Sequence, residues 1–82
     1  MNYTQRKTLK QIGQSIREMR EAHGMYQKDL AKIAGIDCSF LNFIEHGTRN
    51  VSVGILLKIG RILNFGVEIK PFEKKNENGL DK

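Results

Sequence analysis

With Cys38 as its single cysteine, the chain can close no internal disulfide, and His23 and His46 lie too far apart in sequence to give a recognisable metal-ligand spacing. No metal or other cofactor is expected, and stability must come from packing. Long apolar runs are missing too: none approaches the roughly 18 residues that a membrane-spanning helix needs. The opening "MNYTQRKTLK" lacks the apolar stretch of a signal peptide, so a cytoplasmic location is expected. Also absent are a nucleophile paired with a base, a phosphate-binding glycine motif and a clustered pair of carboxylates, which makes an enzyme the weakest reading. Acidic residues are the minority charge. Nine Asp and Glu against fourteen Lys and Arg leave a formal charge of +5, which favours a polyanion such as nucleic acid or an anionic membrane surface. The membrane is the poorer fit, because a chain of 82 residues buries only somewhat over half of its unfolded surface and needs its apolar helical faces for its own core.

What is present is helical patterning with clear punctuation. Thr8-Leu9-Lys10-Gln11 fits a capping box, so a first helix is expected to begin near Thr8, with Leu9, Ile12, Ile16 and Met19 on its apolar face and Gly24 closing it. A second helix runs from Gln27 to about Ala34 and turns Leu30, Ala31 and Ala34 inward; the alanines permit close approach by a neighbour. Gly35 stops it. Asp37 is a good N-cap for a third helix reaching His46, with Leu41 and Ile44 inward and Gly47 at its end. Ser52 can cap a fourth, "VGILLKIGRILN", whose Ile55, Leu56, Ile59, Ile62 and Leu63 form a broad apolar face. Gly54 and Gly60 weaken it by up to ~1 kcal/mol each relative to alanine.

Beyond residue 65 the character changes. "GVEIKPF", residues 66–72, alternates Val67 and Ile69 with Glu68 and Lys70, which is strand periodicity, and Pro71, the single proline, suits a strand end or edge. Residues 73–82, "EKKNENGLDK", are almost without apolar side chains and read as a disordered tail. The expected organisation is therefore a helical domain over 1–65, a strand over 66–72 and the tail.

Only Ala34-Gly35-Ile36-Asp37 separates the second helix from the third. Helices joined so tightly must cross steeply, as in a helix-turn-helix, where the first helix braces on the DNA backbone and the second offers its N-terminal residues to the major groove. From Ile12 to Leu63 the sequence resembles the phage-repressor or Xre class of helix-turn-helix domains. The likeness joins Gln27, Leu30-Ala31, Ala34-Gly35-Ile36, Ile44-Glu45, Gly47 and "LLKI" at matching spacings. It implies an all-α fold, a compact helical bundle, and sequence-specific binding of double-stranded DNA.

The resemblance also assigns roles. Gln27 matches the position whose amide contacts a phosphate, and Asp37, Cys38, Ser39, Asn42 and Phe43 match positions that face the groove. Asn42 suits bidentate pairing with adenine; Phe43 can meet a thymine methyl or pack within its own domain. Cys38, short for a base reader, is also weighed as a redox sensor from its place at a helix N-terminus. Asp37 reads as a cap, since its charge would repel a phosphate. Tyr26 departs from the usual small polar cap, though its phenol can reach a phosphate. Thr48, Arg49 and Asn50 lie in a loop that can follow the DNA backbone, and Lys28 and Lys32 add nonspecific attraction. Arg20 and Glu45 align with a family pair that forms an inward ion pair, and are read as structural.

Two narrower functions remain open. "ILNFGVEIKPF" resembles the end of HipB-type antitoxins, in which a strand pairs across a homodimer and a toxin protein is the partner. A restriction-modification controller protein resembles the same core, but the terminal strand favours the HipB-like form. In the expected homodimer the terminal strand, through Val67, Ile69 and Phe72, pairs with its two-fold mate, with fourth-helix residues Ile55 and Ile62 as the alternative contact.

Overall fold

In the computed structural model, which describes residues 2–71, four helices follow one another: α1 Tyr3–Ala22, α2 Gln27–Ala34, α3 Cys38–His46 and α4 Val53–Leu63. Three of them begin and end close to where their punctuation places them. The exception is α1, which starts five residues before Thr8. Its N-cap is Asn2, whose side chain accepts from the Gln5 amide at 2.8 Å while the Gln5 side chain accepts from the Asn2 amide at 3.0 Å. Asn2-Tyr3-Thr4-Gln5 satisfies the same capping pattern as Thr8 to Gln11, and nothing between them breaks a helix. The first turns of α1 are consequently exposed, and packing begins at about Leu9.

The core consists of Ile16, Leu30, Ala31, Ala34, Leu41, Ile44, Ile59 and Leu63. Each lies on an inward stripe, and a shell of Ile12, Met19, Met25, Ile36, Phe40, Val51, Ile55, Leu56, Ile62 and Phe65 surrounds it. α3 is held between α1 and α2, and α4 closes against α2. The tight turn depends on Gly35, whose φ of 70° is left-handed, and on the Ile36 amide bonding back to Ala31 O at 3.0 Å. α1 reaches α3 closely at Gly13: a Cβ there would run into Ile44 O and into the Glu45 carbonyl group.

After α4 the chain passes through Asn64, left-handed at φ 68°, and residues 65–71 form neither helix nor strand. The expected strand over 66–72 is thus absent from the described residues of a single copy. The physical reason is that a ladder needs a second strand, and no other described segment of the chain provides one. Val67 is half exposed and Ile69 almost wholly so. Phe72 and the expected tail lie outside the described residues. Ile55 and Ile62 are partly buried against the core, whereas the apolar side chains that α4 turns outward are Val53 and Leu57.

Candidate nucleic-acid interface

α3 separates its residues by face. Leu41 and Ile44 are sealed inside, Cys38, Ser39 and Phe43 are exposed, and Asn42 is half buried at the edge of the exposed face. The helix is pinned from below by Glu45, whose carboxylate receives two bonds from Arg20 of α1, Nε to Oε2 at 2.7 Å and Nη2 to Oε1 at 3.0 Å. A third Arg20 nitrogen, Nη1, donates to Met25 O at 2.7 Å, tying the α1–α2 connection to the same group. Hydrogen bonding to Glu45 raises the Arg20 pKa above its ordinary value, against the opposing effect of burial. The inward pair implied by the resemblance is present, with side chains 9% and 1% exposed.

Gln27 does not point simply outward from the start of α2. Its Nε2 donates to Glu45 Oε1 at 3.0 Å, and its Oε1 accepts from Asn42 Nδ2 at 3.3 Å. Arg20, Glu45, Gln27 and Asn42 therefore form one polar chain from the interior to the α3 surface. Among the described residues every buried side-chain nitrogen or oxygen has a partner. No spacing rule connects Gln27 to Asn42, so only the folded arrangement reveals that link.

The cap of α3 differs from expectation, and that of α2 gains a partner the sequence did not indicate. Asp37 occupies the N-cap position of α3 by its backbone, φ −67° and ψ 143°, but its carboxylate makes no capping bond; its carbonyl receives the Leu41 amide at 3.0 Å. Its contribution there reduces to negative charge near the positive helix end. At α2 the phenol of Tyr26 likewise makes no cap, yet Asp29 Oδ2 accepts from the Tyr26 amide at 2.9 Å and supplies one half of a capping box. Tyr26 is exposed, with Lys28 Nζ 5.9 Å from its ring centre, and Lys32 is exposed farther along α2.

The loop after α3 is drawn toward the same face. Thr48 is tied to the helix end through its amide, 3.0 Å from Phe43 O, and its hydroxyl donates to that oxygen at 3.3 Å. Arg49 lays its guanidinium over the Phe43 ring, with Cζ 4.7 Å from the centroid. Phe43 is 38% exposed and finds its partner in a cation rather than in the core. Asn50 is exposed beside them. His46 Nδ1 lies 2.8 Å from Asn42 O, a carbonyl that can only accept, so the ring donates and closes the helix end. Gly47 packs against the Lys10 backbone, which brings exposed Lys10 of α1 up to the loop. That neighbourhood was not apparent from the sequence.

Residues 16–69 match the helix-turn-helix family HTH_3. Among its relatives, the HTH-type transcriptional regulator RamB of Mycobacterium tuberculosis is 35% identical over 69 residues, covering 84% of this chain but only 14% of RamB. An HTH-type transcriptional regulator of Bacillus subtilis, YazB, is 38% identical over 63 residues, 76% of this chain and 91% of that protein. Among solved structures, the restriction-modification controller protein C.AhdI of Aeromonas hydrophila superposes with a TM-score of 0.70 at 38% identity, covering 73% of this chain and 91% of the controller. With α2 and α3 joined by a short left-handed turn, an exposed α3 face and these likenesses, the chain belongs to the helix-turn-helix family HTH_3, and it spans only about a seventh of the length of RamB.

Proposed function

We propose that the protein regulates transcription as a homodimer that reads an inverted-repeat operator, α3 entering the major groove of each half-site. The observation that carries this is the division of α3 into a sealed face, Leu41, Ile44 and Glu45, and an outward edge, Cys38, Ser39, Asn42 and Phe43. A helix fixed on one side by an ion pair and on the other by α2 can present base-reading groups with little freedom left to lose. Arg49, Thr48, Asn50, Tyr26 and Lys28 border that edge and serve the phosphates, and Gln27 joins them from the start of α2.

The homodimer is supported by apolar surface that one copy leaves open: Val53 and Leu57 of α4, and Val67 and Ile69 beyond it. Pairing of residues 66–72 with the two-fold mate would satisfy their backbone groups and set the two α3 helices about 34–36 Å apart, one turn of DNA. Of the narrower readings, the likeness to C.AhdI favours a controller protein over a HipB-like antitoxin with a toxin partner. The test is selection of bound duplexes from a random library. Enrichment of an inverted repeat with half-sites one helical turn apart is expected; recovery of unrelated sequences only would contradict the proposal.

A further inference from the structure

We infer that Gln27 is a positioning residue whose amide, oriented by the buried Glu45 carboxylate, fixes which way round Asn42 presents its own amide to DNA. The inference rests on the reading of α3 as the recognition helix, and it begins with a constraint of chemistry. An ionised carboxylate only accepts hydrogen bonds. Both oxygens of Glu45 already accept from Arg20, and the third bond it receives, 3.0 Å from Gln27 to Oε1, must come from the NH₂ end of that side chain. Gln27 therefore has to aim its Oε1 the other way. There it meets Asn42 at 3.3 Å, and an acceptor facing Asn42 demands the NH₂ end of Asn42 in turn.

The polarity set by one buried charge is thus handed through two neutral amides to the surface. Asn42 is left with Oδ1 and its second N–H for a ligand, in a fixed order. Adenine offers a matching donor and acceptor, N6–H and N7, on its major-groove edge. A freely rotating asparagine could turn its amide over and pair with a donor and an acceptor in the reverse order; this one would have to break its bond to Gln27 to do so. The consequence is discrimination between an A·T pair and the reversed T·A pair at one position of the operator. Gln27 thereby affects sequence preference, in addition to any phosphate that it touches.

Side-chain amide relaxation of the free parent protein, compared with Gln27→Met, tests the relay without DNA. The parent Asn42 NH₂ is expected to be as ordered as the α3 backbone and to become mobile in Gln27→Met, whose side chain keeps the length but loses both ends of the amide. An Asn42 NH₂ as mobile in the parent as that of exposed Asn64, or unaffected by Gln27→Met, would overturn the inference whatever the protein binds. Titration of a selected operator and its A·T to T·A variant then reads the consequence. The parent preference, roughly ten-fold, should be lost to the same extent in Gln27→Met, Asn42→Ala and the double variant. If Gln27→Met keeps the preference while Asn42→Ala loses it, the positioning role is refuted and α3 remains the reader. If α3 variants leave operator binding unchanged, the reading of α3 itself fails, and the consequence drawn for DNA fails with it.

Discussion

Arg20 and Glu45 stand 25 positions apart in sequence and meet through two hydrogen bonds on the inward side of α3. Removing one partner leaves a charge without compensation in a site that water scarcely reaches. Arg20→Ala or Glu45→Ala should therefore cost about 3–5 kcal/mol, a large share of the stability of so small a domain. Chemical denaturation measures it directly. Replacement of both by apolar residues of similar volume should recover much of the loss, because the desolvation of two charges is then avoided. A single variant as stable as the parent would mean that the pair does not hold α1 to α3.

Gly13 gives a prediction whose sign opposes helix propensity. In an open helix, glycine to alanine is favourable by about 1 kcal/mol. At Gly13 the added methyl would meet the Ile44 and Glu45 backbone, which cannot swing aside as a side-chain tip can. Gly13→Ala should be destabilising by about 1–3 kcal/mol. Gly54→Ala, where the nearest atom is Ser52 Oγ at 3.9 Å, is the control and should be neutral or stabilising. In thermal melts the midpoint should fall for Gly13→Ala and hold or rise for Gly54→Ala.

Arg49 and Phe43 are expected to act as a unit. The ring holds the guanidinium by its face, worth about 0.5–1 kcal/mol at an exposed site, and so places a cation beside α3 before DNA arrives. Arg49→Ala should weaken binding to all sequences and reduce the salt slope by about one. Phe43→Leu should weaken binding less, and its effect should shrink when Arg49 is already alanine. Additive losses in the double variant would separate the two residues.

Truncation after Asn64 tests the role given to the final segment. The shortened protein should dissociate to monomers at concentrations where the parent is dimeric, and should bind a full operator more weakly. Analytical ultracentrifugation and operator titration read the two effects. An unchanged dimer constant would assign the contact to α4, where Val53 and Leu57 are the outward apolar residues.

The parts of this fold that the sequence reveals are those set by local chemistry. Gln27, Gly35, Gly47 and Ser52 mark helix ends because capping and left-handed turns are demands within a few residues, and Leu41 with Ile44 marks the inner face of α3 by spacing alone. The start of α1 was misplaced because Asn2 and Thr8 open equivalent capping patterns and only the outer one sets the boundary. The requirement at Gly13 has no local signature, because it is another helix, α3, that demands the small residue. The inward turn of Gln27 was hidden for a related reason: its partners, Glu45 and Asn42, are 18 and 15 positions away. The resemblance supplied Arg20 with Glu45, a pairing that periodicity alone does not show. The strand has no such local answer, since its partner would be another molecule.

The central claim, that α3 reads DNA sequence, is tested most directly at Asn42. Fluorescence anisotropy of a duplex selected by the parent protein, titrated with the parent and with Asn42→Ala, compares their affinity for that duplex and for one altered at a single base pair. Asn42→Ala should lose about 1–3 kcal/mol of discrimination at that pair while its affinity for unrelated DNA stays nearly the same. Equal discrimination by parent and variant at every position of the selected site would contradict the account.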